Sequence, residues 1–480
     1  MKRALMNFSR TAVVAAALAL TACATTDTRL PAVDLPAPTA THVAGIDRWW
    51  TQFDDPQLTA LIEEALAANL DLRLAIARID EARANLRLAR SALYPSLDAD
   101  FGASRSKRSN RTDFAFGPEI TNSFTGGLQA AYEVDLWGRL ASGRNAADAQ
   151  LLATRYSAET VRTALAAQVA STYFSLRAFD AELKITRDTL GTRAENVKLF
   201  KQRFDAGLVG DYEVRLSEAE RSSVAAAIPA LERAIAQTEA ALAVLAGRSA
   251  REVYTPVVVR GKEIAAVATN VEVPAGLPAD LLARRPDIRQ AEANLVAATA
   301  RIDEARAQYF PSLILTGRFG GESSDLADLF TAPARVWSIA GSLLQPIIAA
   351  GRIGAQVDGA TARRNQAEIG YVQSVQAAFR DAHDALVAHR SARDVFVAQD
   401  ERRTQLIDAL RLSDLRYRSG YSSFIDVLDN QRNLLDAERA RVNALRDRQT
   451  ALVDLYKALG GGWSPEMFVQ SSAQAATTPR

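Results

Sequence analysis

Side chains able to ligate a metal, attack a carbonyl or form a disulfide are scarce in this chain of 480 residues, which has three His and one Cys. His383 and His389 stand six apart, so on a helix they do not share the face that an i, i+4 metal pair needs. His42 lies in a stretch rich in Pro and Thr. The single Cys23 excludes an internal disulfide framework and any multi-Cys metal centre. No Gly-rich phosphate loop occurs, and no nucleophilic Ser with a His partner stands out. The expectation is a protein that is not an enzyme and needs no cofactor. Charge narrows the field further: 57 Lys and Arg face 56 Asp and Glu, and a chain so close to neutral does not bind nucleic acid through its bulk field.

Cys23 takes its meaning from what precedes it. Lys2, Arg3 and Arg10 form a charged segment, Ala12 to Leu20 is apolar but too short to span a bilayer, and Thr21-Ala22 leads into the Cys. This pattern is similar to a bacterial lipobox. It implies a lipoprotein signal peptide over 1–22, cleavage before Cys23 and lipidation of its thiol. Several acyl chains hold a protein at a membrane where one does not. Ala24 stands where an inner-membrane retention signal usually has Asp, which points to the outer membrane. Residues 23–46 then read as a lipidated tether and 464–480 as a disordered tail.

Between these ends the chain is organised twice over, with a first repeat at 47–250, a linking equatorial segment at 251–276 and a second repeat at 277–463. Each repeat opens with a helix, Leu58 to Leu93 and Leu281 to Tyr309, stopped by Tyr94-Pro95-Ser96-Leu97 and Phe310-Pro311-Ser312-Leu313. Two short extended segments follow, then Gly138-Arg139 or Gly351-Arg352, then about 65 residues of helix running to a Gly turn at Gly207 or Gly420. The spacing from Gly138 to Gly207 equals that from Gly351 to Gly420, which argues for an internal duplication. Leu165, Val169, Thr172, Leu176, Phe179 and Leu183 step by fours and threes, with Leu190, Val197 and Phe204 continuing the seam. The returning helices carry matching stripes, Leu428 to Leu459 in the second. A helix of that length is a rod of roughly 100 Å. Its apolar stripe is structural and calls for no cofactor.

The four extended segments alternate apolar and polar residues. Leu97, Ala99, Phe101 and Ala103 form one apolar row; Phe124, Leu128, Tyr132 and Val134, then Leu313, Leu315 and Phe319, then Trp337, Ile339 and Leu343 form the others. A half-buried sheet would look the same, but so would barrel strands with lipid outside and water inside. Four strands cannot close a barrel, since the smallest have about eight, and lipid does not tolerate an open edge. The barrel must be shared between chains. The loop 104–122, with Arg105, Lys107, Arg108 and Arg111, reads as a mobile extracellular loop, with lipopolysaccharide phosphate as a lesser possibility.

The segments WWTQFDDPQLTALIEEALAANLDL (49–72), YEVDLWGRL (132–140), LPADLLARRPDIRQAEANL (277–295), QPIIAAGR (345–352) and RSGYSSFIDVLDNQRNLLDAE (418–438) resemble the outer-membrane efflux channels of the TolC type, in the lipoprotein branch of OprM and NodT. The likeness runs from about Asp47 to Trp463. It implies a membrane β-barrel joined to a long α-helical coiled-coil barrel. Three chains with four strands each would build a 12-stranded barrel and a 12-helix periplasmic tunnel. It also implies a passive exit duct for small molecules such as drugs, partnered by an inner-membrane RND-type pump and a periplasmic adaptor and seated in outer-membrane lipid. By motif, Asp426 and Asp429 map onto acids lining the periplasmic aperture. Glu213 and Tyr417 map onto gate contacts between hairpins whose tips are Gly207 and Gly420. Some members place an Arg where this chain has Ser422, so the expected ion pair falls to Arg416 or Arg418.

Two alternatives stay open on the residues. A periplasmic adaptor lipoprotein also has long hairpins, but one rather than two and without barrel strands. Related channels serve type I protein secretion, whereas the lipobox favours small-molecule efflux.

Overall fold

The computed structural model describes residues 28–31, 47–109, 119–267 and 284–463. Cys23, most of the tether and the tail 464–480 lie outside the described residues. The chain divides into two compact units, one around 79–154 and 290–372, the other around 33–78, 155–289 and 373–480.

The first unit holds one antiparallel sheet in chain order, β1 (Ser96–Lys107), β2 (Ile120–Val134), β3 (Ser312–Ser323) and β4 (Arg335–Leu344). Its register joins the apolar rows. Ala99 faces Leu128, Leu128 faces Phe319, and Phe319 faces Trp337; one step along, Leu97, Ala130, Gly317 and Ile339 are aligned. This face is open: Phe101 is 75% exposed, Trp337 74% and Ile339 83%. On the other face Arg318 donates from Nη2 to Asp100 Oδ2 at 2.9 Å, reaching over β2 where Gly127 stands opposite Asp100. A Cβ on Gly127 would lie 2.7 Å from the Phe319 carbonyl oxygen, so glycine lets β2 and β3 approach there. β1, at 12 residues, runs past the alternation read from Leu97 to Ala103 and absorbs part of the supposed basic loop. Arg105 and Lys107 belong to β1, and Lys107 pairs with Glu119 at 2.8 Å. Arg111 lies outside the described residues.

At the inner end of the sheet Trp137 stacks on Phe310 at 4.7 Å and donates from Nε1 to the Pro311 carbonyl at 2.8 Å. Asp135 accepts the backbone N–H groups of Leu140 and Ala141 at 3.1 and 2.8 Å, capping the helix that follows. Gly138, at φ +70°, makes the corner that L side chains resist.

The expected single helix over 58–93 is two, α1 (Pro56–Ala68) and α2 (Leu70–Ser91). Asn69 is extended at ψ 134°, and its Oδ1 accepts the Leu72 N–H at 3.0 Å while its Nδ2 donates to the Leu245 carbonyl at 2.9 Å. One polar side chain thus starts one helix and closes the end of another. The long helices α3 (Arg139–Asp205) and α7 (Arg352–Arg418) each have 67 residues; α4 (Asp211–Leu245) and α8 (Phe424–Ala458) each have 35. Short α5 (Ala250–Tyr254) precedes the linking segment, and α6 (Pro286–Ala307) matches α2 at 22 residues.

The core of the second unit gathers Trp49, Phe53, Leu58 and Ile62 against Tyr173, Phe174 and Leu176 of α3, Leu242 of α4, and Leu452 and Tyr456 of α8. Burying each large apolar side chain contributes about 1.5–3 kcal/mol. Of the α3 seam, Leu165, Val169, Leu176, Leu183 and Val197 are buried, whereas Phe204 is 44% exposed. Tyr173 and Phe174 are buried as well, because the N-terminal segment widens the covered face beyond a two-helix seam. Asp55, 1% exposed, ties the linking segment down: it accepts from Tyr173 Oη at 2.7 Å and from the Lys262 N–H at 3.2 Å. A Cβ on Gly261 would meet Asp55 Oδ1 at 2.1 Å.

Candidate aperture at the hairpin turns

Both helix hairpins reverse by the same backbone device. The Gly207 N–H donates to the Phe204 carbonyl and the Leu208 N–H to that of Arg203, each at 2.8 Å; the Gly420 N–H donates to Tyr417 at 3.0 Å and the Tyr421 N–H to Arg416 at 2.9 Å. These are Schellman closures around glycines at φ +73° and +79°. Nothing lies within 4 Å of a Cβ added at either glycine, so conformation rather than crowding selects glycine.

The returning helices start alike. Glu213 accepts the Gly210 N–H at 3.1 Å and Asp426 accepts the Ser423 N–H at 3.1 Å. Both acids therefore cap the helix that carries them and offset the positive end of its dipole. Between the turns Phe200 meets Phe424 at 4.1 Å and Tyr417 meets Phe424 at 5.5 Å, in a cluster with Val214, Val427 and Leu428.

Glu213 and Tyr417, expected as gate contacts, are not bonded to each other within the chain. Tyr417 Oη accepts instead from Arg203 Nη1 at 3.0 Å, with the guanidinium 5.9 Å from the ring centre. Arg418 pairs with Asp414 at 2.8 Å, and Arg416 is exposed with no ion pair among the described residues. Asp426 and Asp429 are both exposed. Asp429 accepts from Arg432 Nη1 at 3.1 Å, while Arg432 donates from Nε to the buried Glu220 at 3.0 Å. Arg193 is 3% exposed, and its burial pulls the guanidinium pKa down against the pull of Glu220. Arg203, Glu220 and Arg432 were not singled out in the sequence. The spacing of Asp429 and Arg432, three apart on a helix, was a readable signal for one pair; Arg203 and Glu220 act across helices and left none.

Comparison with known proteins decides what these turns belong to. The family described as outer membrane efflux protein matches residues 61–248 and 277–461. The chain belongs to the outer membrane efflux protein family. The solvent efflux pump outer membrane protein SrpC of Pseudomonas putida is 36% identical over 416 residues, covering 86% of this chain and 87% of that protein. The cation efflux system protein CusC of Escherichia coli is 32% identical over 457 residues, covering 93% and 97%. The Campylobacter jejuni CmeC outer membrane channel superposes with a TM-score of 0.84 at 25% identity, covering 93% of this chain and 98% of that one.

As an outer membrane efflux protein the chain is an outer-membrane channel of bacterial efflux pumps, in a family of channels rather than enzymes. The exposed apolar rows of the sheet suit that location. Among the described residues no helix is long and apolar enough to cross a membrane. Two repeats, four strands and two long hairpins match the family's fold and exclude the single-hairpin adaptor reading.

Proposed function

We propose that the chain works as a homotrimeric exit duct, in which four strands from each copy close a 12-stranded barrel and the hairpins line a periplasmic tunnel. The observation that carries this reading is the sheet: its apolar face is exposed, and the outer edges of β1 and β4 pair with no strand among the described residues. In lipid such edges must be closed, and further copies of the same sheet close them. A periplasmic adaptor and an RND-type pump supply the cargo and the energy, and lipidated Cys23 fastens each chain to the membrane. Relatives are named for the efflux of solvents, toluene, antibiotics and cations, a spread that suits a duct whose pump selects the cargo.

The turns form the narrow periplasmic mouth, ringed by Asp426 and Asp429 from each copy. Such a ring favours cations over anions. Inter-chain contacts of Glu213, Tyr417, Arg416 and Arg418 around Gly207 and Gly420 hold it closed. The test is single-channel recording in planar bilayers beside the mass of the detergent-solubilised complex. A trimer that conducts, and that loses cation preference in Asp426→Ala/Asp429→Ala, is expected. A non-conducting monomer ends the duct reading, and unchanged selectivity in the double variant removes these acids from the mouth.

A further inference from the structure

We propose that Arg432 is a built-in countercharge of the mouth, held in place by Glu220 so that it offsets Asp429 and sets how strongly the channel prefers cations. The inference rests on the reading that Asp429 lines the mouth.

Three observations carry it. First, Arg432 is anchored from behind. Its Nε and Nη2 both donate to Glu220 Oε1, the former at 3.0 Å, and Glu220 is only 8% exposed. A guanidinium gripped on one side of its fork cannot swing away, which leaves Nη1 aimed at Asp429 Oδ1 at 3.1 Å. Second, the anchor is deep. Glu220 is buried and the similarly buried Arg193, 3% exposed, lies within its electrostatic reach, so the carboxylate sits in a layer largely shielded from water. Third, the pair belongs to the second repeat alone. Aligned on Gly207 and Gly420, Asp429 corresponds to Leu216 and Arg432 to Ala219, whereas Asp426 corresponds to Glu213, its fellow capping acid. Capping therefore accounts for the acid at this position in both repeats, Glu213 and Asp426, and leaves Asp429 and Arg432 without a counterpart to explain them.

Each copy then brings two exposed carboxylates and one fixed guanidinium to the mouth, so the ring carries half the formal charge that the acids alone suggest. A moderated field still draws cations in but releases them more readily than an uncompensated one. Solutes with both a cationic and an anionic group meet a partner of each sign.

The test uses the full-length protein in planar bilayers, with the cation-to-anion permeability ratio read from the reversal potential in a KCl gradient at neutral pH. Asp429→Asn is expected to lower the ratio, and Arg432→Gln to raise it about threefold. If Asp429→Asn leaves the ratio unchanged, Asp429 is not at the mouth and the underlying reading fails. If Asp429→Asn lowers it but Arg432→Gln does not raise it, the mouth stands and the countercharge falls. Should Arg432→Gln fail to assemble because Glu220 is stranded, Arg432→Gln/Glu220→Gln, which removes both partners, is compared with the unaltered protein, where the ratio is expected to rise and its failure to rise overturns the proposal.

Discussion

The two repeats of this chain share a backbone and differ in their polar side chains. Glycines at positive φ recur in register, Gly138 with Gly351, Gly207 with Gly420 and Gly247 with Gly460, between helices of equal length. Even the break before the second helix recurs. Asn69 donates to the carbonyl of Leu245 at 2.9 Å, and Arg285, at the matching position, donates from Nη1 to that of Ala458 at 3.2 Å. The helix end needs a donor at that place, and a short amide or a long guanidinium reaching from the side serves equally. Partners diverge elsewhere: Arg139 pairs with Glu133 at 2.7 Å, but at the position equivalent to Glu133 the second repeat has Pro346. Duplication kept what the chain path requires and released the charges for separate uses.

The sharpest way to break this comparison is at the glycines. A Cβ on Gly247 would stand 2.2 Å from the Ala68 carbonyl oxygen in addition to the cost of φ +71°, whereas Gly420 faces open space. Gly247→Ala is expected to lose about 3 kcal/mol and Gly420→Ala about 1 kcal/mol, read as shifts in denaturant midpoint. Similar losses would mean that the close approach to Ala68 adds nothing to the conformational cost the two glycines share. Next comes the shared break. Asn69→Ala removes a cap and strands a helix-end carbonyl, for a loss of about 2 kcal/mol in the same assay, and Arg285→Met lowers stability as well. A neutral Arg285→Met would show that its contact with Ala458 is incidental.

A smaller effect separates the two acids proposed for the mouth. Asp426→Ala and Glu213→Ala each forfeit a capping interaction worth about 0.5–1 kcal/mol, while Asp429→Ala leaves thermal stability near that of the unaltered protein. Equal destabilisation by Asp426→Ala and Asp429→Ala would erase the distinction between them. The smallest effect is pH-dependent. Burial raises the Glu182 carboxyl above its ordinary pKa, against the pull of Asn443, Arg439 and Arg446. The folded state therefore favours the protonated acid. The stability this brings is complete below the unfolded pKa and is lost as pH rises through the raised value. Glu182→Gln should raise the unfolding midpoint near about pH 8 and bring no gain near about pH 4.

Much of the architecture was written in periodicity and punctuation. The alternation of Leu97 to Ala103 and of Phe124 to Val134 foretold the shared face, because side-chain direction in a strand has period two and leaves one answer for each residue. Along the stripe from Leu428 to Leu459, Leu428, Leu435, Val442, Leu445, Leu452 and Leu459 are all buried. The break at Asn69 was hidden, since Asn is tolerated in helices and the carbonyl it serves belongs to a residue far along the chain. The roles of Arg203 and Glu220 were hidden for the same reason: each acts on another helix, and helix-to-helix azimuth leaves no trace in local spacing. Asp426 was legible as an acid near a helix start, and its commitment to capping needed the hydrogen bond to be seen.

The aromatic cluster of Phe200, Tyr417 and Phe424, with the bond from Arg203 to Tyr417, joins the two turns of one chain. A contact of this kind couples the opening of the two turns. Amide protons on either side of Gly207 and Gly420 are therefore expected to exchange with solvent as one cooperative unit in native-state hydrogen exchange, so that loosening one turn exposes both.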